Sequence, residues 1–196
     1  MKTSIALALL GLMLPSMGWA ENPFLHAKSD APVSVKFKGT EWNDEYEKDE
    51  YAWSTQVTTQ RVATAKWGSF FKITFDQITT KAPKPRDMLP LYFLATDNEI
   101  FLVNEEKPDE AITRFASQDA PPKFEPDYLY GLAKGSRTVA LSKVSNAKLA
   151  VKGDRSTYEF SHNSGHFTHV VWQRGVGLVE FGQGYGARKE GFSLKR

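Results

Sequence analysis

The chain of 196 residues contains no cysteine. That absence excludes disulfides, thiolate metal ligands and the cysteine-linked lipid anchor of exported lipoproteins. Long apolar runs are missing too: the longest, Ile5 to Leu14, falls short of the about 20 residues a spanning helix needs, so no transmembrane segment is expected. Charge is nearly balanced, with 25 Lys and Arg against 23 Asp and Glu. A balance so close to neutral argues against nucleic acid or an anionic membrane as partner. There is no internal repeat, no low-complexity tract, no G-x-G-x-x-G phosphate cradle and no G-x-S-x-G nucleophile elbow.

What is present begins with MKTSIALALLGLMLPSMGWA. One early charge at Lys2, a short apolar run and small residues at Gly18 and Ala20 predict a cleaved signal peptide over residues 1–20, hence a periplasmic or secreted protein. Without covalent staples the remainder must hold itself together by burial, and it is long enough to do so in one core. Residues 21–31 read as an irregular arm and residues 32–196 as a single β-rich domain.

Alternation of apolar and polar residues predicts strands through most of the chain. VSVKFKG and SFFKITFDQIT each show a period of two, and YAWSTQVTTQRVATAKW reads as two strands. PLYFLAT and EIFLVNE form a hairpin through Asp97 and Asn98. PDEAITRFASQ is the single helix candidate: Pro108 suits its first turn, Asp109 and Glu110 complement the dipole, and Ala111, Ile112 and Phe115 supply an apolar stripe. APPKFEPDYLYGLAKGSR reads as an ordered crossing loop, and short strands follow to the end of the chain. With no βαβ alternation, the expected fold is mainly β, an antiparallel sandwich or partly open barrel with one short helix.

Three of the four histidines fall within SHNSGHFTHVVW: His162, His166 and His169. A three-residue loop Asn163-Ser164-Gly165, with Gly165 left-handed, sets His162 opposite His166, Glu159 opposite His169 and Ser156 opposite Trp172. Alternation then places His162 and His166 on one face and Glu159 with His169 on the other. A zinc site needs three or more ligands within about 2.0–2.3 Å, so His162 and His166 supply at most two, and no third is evident. Ser164 beside either histidine is a weak nucleophile candidate without an oxyanion hole. No cofactor is expected.

The closing stretch WQRGVGLVEFGQGYGARKEGF carries six of the fourteen glycines, which read as turns and a bulge. It resembles the last strands of uncharacterised exported bacterial β-rich proteins. The resemblance is confined to this C-terminal segment and implies a kinked strand completing a sheet, with no activity and no site residues.

EWNDEYEKDEY, residues 41–51, holds six acids and one base among aromatics. Trp42, Glu45, Tyr46, Glu47, Asp49, Glu50 and Tyr51 are the candidates for gripping a basic protein by steering and aromatic anchoring. The first expectation is therefore a non-enzymatic binder, such as an inhibitor or immunity-like protein with a basic partner. The aromatic richness of the chain (Trp53, Trp67 and Trp172 included) allows an apolar-ligand or lipid carrier as a second reading. A metal-dependent hydrolase using the 162–169 histidines is a third.

Overall fold

The computed structural model of the protein describes residues 21–25, 31–83, 87–186 and 189–196. The expected signal peptide and part of the arm lie outside them. The period-two segments all form strands: β1 (Val33–Asn43), β2 (Tyr51–Ala65), β3 (Gly68–Thr80), β4 (Leu91–Ala95), β5 (Glu99–Leu102), β6 (Leu129–Leu132), β7 (Ser136–Ala140), β8 (Ser145–Lys152), β9 (Arg155–His162), β10 (Phe167–Gln173), β11 (Gly177–Tyr185) and β12 (Glu190–Lys195). They make one sheet in the order β6-β5-β4-β3-β2-β1-β12-β11-β10-β9-β8-β7, with antiparallel pairing throughout. The fold is mainly β, as expected, and takes the barrel form: a single sheet curled until it nearly closes.

The segment read as two strands is one. Nothing between Tyr51 and Ala65 is a glycine, proline, asparagine or aspartate that would turn the chain. The register with β3 instead slips between Ser54 and Gln56 and between Arg61 and Ala63, and such bulges bend a strand without ending it. The crossing loop is likewise more structured than expected, since it contains a 3₁₀ turn at Pro126–Tyr128 and all of β6.

Curling is visible in the core. One cluster draws buried side chains from every strand except β7, whose Val139 packs against it, and includes Phe37, Trp53, Phe71, Phe93, Trp172 and Phe192. Its size decides that the interior is a packed core. The free edge of β6 is sealed by side chains reaching across: Trp172 Nε1 donates to the Tyr130 carbonyl at 2.9 Å and Leu132 N–H to Ser156 Oγ at 3.1 Å. Tyr130 stacks on Tyr158 at 4.3 Å, and burial, before any neighbour, keeps both phenols protonated above the usual tyrosine range.

The helix candidate forms α1 (Pro108–Ala116) with Ala111, Ile112 and Phe115 buried. These pack outside the barrel on Phe70, Tyr92 and Leu94, which point away from the main core because β3 and β4 alternate. No helix among the described residues is long and apolar enough to cross a membrane.

Residues 21–25 form no regular element, yet they close one end of the barrel. Phe24 and Leu25 are fully buried. The Asn22 carboxamide holds them, accepting from the N–H groups of Phe24 and Leu25 at 3.0 and 3.2 Å and donating to the Thr96 carbonyl at 2.8 Å. A cleft of about 840 Å³ opens beside this arm, between Leu25, Arg61, Trp67 and Phe71.

Candidate functional site

The opposite end of the barrel carries both segments that the sequence singles out. The histidine hairpin has the expected register: Ser161 pairs with Phe167, Glu159 with His169 and Ser156 with Trp172. Gly165 takes φ 85°, and the loop closes through His162 N–H to the His166 carbonyl at 3.0 Å and Gly165 N–H to the His162 carbonyl at 2.9 Å. A side chain at that φ would be strained, which is why glycine sits there.

His162 and His166 meet edge to face, with ring centroids 5.7 Å apart. Both turn Nδ1 toward Ser164: its Oγ lies 2.6 Å from His162 Nδ1 and hydrogen-bonds His166 Nδ1 as well. Ser164 N–H also donates to His162 Nδ1 at 3.1 Å. The hydroxyl thus ties the two rings together at an exposed loop. Among the described residues no group of three or more His, Asp or Glu could hold a metal ion.

His169 belongs to a separate surface on the other face. It lies 3.9 Å from Glu159 and 3.6 Å from Glu180, and Glu180 also meets Arg155 at 3.1 Å and Lys195 at 3.2 Å. Partial burial alone would raise the Glu180 carboxyl. Lys195 chiefly, then His169 and Arg155, outweigh it and hold the group below its ordinary value. Such a network of paired charges is structural in character.

The acidic segment reaches the histidine hairpin through four paired positions. Trp42 pairs with Gly191, Gly191 with Gly184, and Gly184 with Phe167. The two glycines leave a trough in the sheet, and the Trp42 and Phe167 rings lie down in it, stacked at 6.2 Å and 14°. Trp42 is therefore buried, as is Glu41, whose carboxylate accepts from the Thr80 hydroxyl. Glu45, Glu47, Asp49 and Glu50 stay exposed. Tyr46 meets Tyr51 edge to face at 5.3 Å, and Asp44 N–H donates to the Lys189 carbonyl at 2.6 Å.

Tyr185, the last residue of β11, stands edge to face on His166 at 3.9 Å. Around these rings is a cavity of about 270 Å³, lined among others by Phe160, His166, Phe167, Gln183, Tyr185 and Glu190. Phe167, Tyr185 and Glu190 were not legible as site residues. The signal that could have found them is glycine at 184 and 191, an unfilled pair of positions across from aromatics.

No family model, no curated protein and no solved structure matches this chain.

Proposed function

We propose that the chain is an exported, non-catalytic binding protein that takes a basic partner protein, as an inhibitor or immunity-like protein would. The observation that carries this is the junction of residues 41–51 with the histidine hairpin at one rim. Four exposed acids, Glu45, Glu47, Asp49 and Glu50, stand there beside Tyr46, Tyr51 and Tyr185. Exposed acids steer a cationic surface into place, and rings supply rigid contact area at small entropic cost. Each rim ion pair is worth only about 0.2–1 kcal/mol, so several must act together.

Support for the other two readings is weaker. A carrier needs an empty interior, whereas Phe37, Trp53, Phe71, Phe93, Trp172 and Phe192 fill this one. A metal-dependent hydrolase needs converging ligands, whereas His162 and His166 spend Nδ1 on Ser164 and His169 lies on the other face.

The test is a pull-down from envelope extract at rising salt, with wild type and with Glu45, Glu47, Asp49 and Glu50 reversed to lysine. A basic protein that elutes as salt rises and is not retained by the variant supports the reading. Retention indifferent to both overturns it.

A further inference from the structure

We propose that the cavity beside His166 binds a neutral polyhydroxyl ligand, one pyranose ring of a sugar or glycan. The site uses none of the four exposed acids and goes beyond the reading above. Its side chains occupy two adjacent cross-strand rows on the inner face of the sheet. In one row Phe160 pairs with Thr168, Thr168 with Gln183, and Gln183 with Phe192, a residue of the main core. Two residues nearer the rim, and on the same face by alternation, His166 meets Tyr185 at 3.9 Å. The Phe167 ring, stacked on Trp42, lies on the outer face.

The groups these residues leave uncommitted select the ligand. The Thr168 hydroxyl, the Gln183 carboxamide and the Tyr185 hydroxyl take no hydrogen-bond partner among the described residues, and each can both donate and accept. Ser164 N–H donates to His162 Nδ1, so the serine hydroxyl accepts from His166 Nδ1, and His166 Nε2 remains as an acceptor. No lysine or arginine is among the described lining residues. Glu190, the one carboxylate there, has a partner of its own. Charge therefore does not choose the ligand, and hydroxyls do: each of them also donates and accepts. Phe160 and Tyr185 add ring surface for the apolar C–H face of a sugar.

Size and backbone pairing narrow the choice further. A volume of about 270 Å³ lies below the range of about 300–1,000 Å³ typical for drug-sized ligands and suits a single ring. A peptide would seek a free strand edge, but β9, β10, β11 and β12 each have a neighbour on both sides.

The protein expressed from its full-length sequence is titrated with the methyl glycosides of glucose, galactose, mannose and N-acetylglucosamine, with a linear trisaccharide of each, and with an N-acetylated tetra-alanine peptide. Protein resonances are followed by NMR, and saturation transfer shows which ligand protons touch the protein. Variants are Gln183→Ala, Thr168→Val, Tyr185→Phe and Tyr185→Ala, with His169→Ala on the outer face as control, each checked for an unchanged melting temperature. At least one glycoside is expected to bind with a Kd of about 1 mM and to shift His166, Thr168, Gln183 and Tyr185. Gln183→Ala, Thr168→Val and Tyr185→Phe are each expected to weaken it about twofold to tenfold, Tyr185→Ala more, and His169→Ala not at all.

Silence from every glycoside overturns the site. Binding that leaves those four residues unmoved, or that ignores both Gln183→Ala and Tyr185→Ala, overturns it too, as does a peptide that shifts them more strongly than any sugar. A trisaccharide held more tightly than its glycoside, with saturation centred on one ring, supports a glycan end as the source, and equal affinity supports a free sugar. The acidic rim is tested separately, by the salt-dependent pull-down.

Discussion

Trp42 and Phe167 stack on each other although two strands, β12 and β11, run between their own. The contact exists because both intervening positions are glycine. A Cβ on Gly184 would overlap the Phe167 ring, and one on Gly191 would come within 2.5 Å of Trp42 Cζ2 and 2.6 Å of the Gln183 carbonyl oxygen.

Gly191→Ala is accordingly expected to cost about 1–3 kcal/mol, the usual penalty of overfilling a packed site. Backbone lies on one side, so only the indole can yield. Chemical denaturation should show the loss, and tryptophan fluorescence should report Trp42 leaving Phe167.

Asn22→Ala should destabilise by about 1–3 kcal/mol, because it leaves the buried N–H groups of Phe24 and Leu25 without their acceptor. Phe24→Ala should cost about 3–5 kcal/mol through cavity formation. Both should raise amide exchange at Thr96 and Glu99, whose carbonyls the Asn22 side chain contacts, and leave the histidine hairpin at the far end unaffected.

Glu180 makes part of the stability depend on pH. Its folded carboxyl is held below the ordinary value of 4.5 by Lys195, His169 and Arg155, so the folded state favours the ionised form. The resulting stabilisation is complete above the unfolded value and disappears as pH falls through the folded one. Melting temperatures of wild type and Glu180→Gln should differ at pH 7, with wild type higher. The gap should close on acidification below about pH 4.5.

Ser164 fixes the tautomers of its two histidines. Its N–H donates to His162 Nδ1, which therefore bears no proton, so the hydroxyl donates to His162 and accepts from His166 Nδ1. Nitrogen-15 spectra at neutral pH and above should show His162 protonated at Nε2 and His166 at Nδ1. Ser164→Ala should remove that difference, with little change in overall stability because the loop is exposed.

Much of the fold was legible because strand alternation is a local property. The hairpin from Arg155 to Gln173, the turn at Asp97 and Asn98, and α1 all follow from residues within a few positions of one another. Where reading failed, the cause was also local. Between Tyr51 and Ala65 two strands were expected although no turn residue separates them, and two bulges against β3 bend a single strand through the segment.

The sequence by itself determined that His162 and His166 share a face and that His169 does not, since a period of two admits no other arrangement once Gly165 sets the turn. Only the tertiary structure decided that residue 42 meets residue 167 and that Phe24 plugs the other end. Those contacts depend on β1 pairing with β12. Which distant strands meet when a sheet curls closed is set by the burial of the whole core, and no short window of sequence contains it.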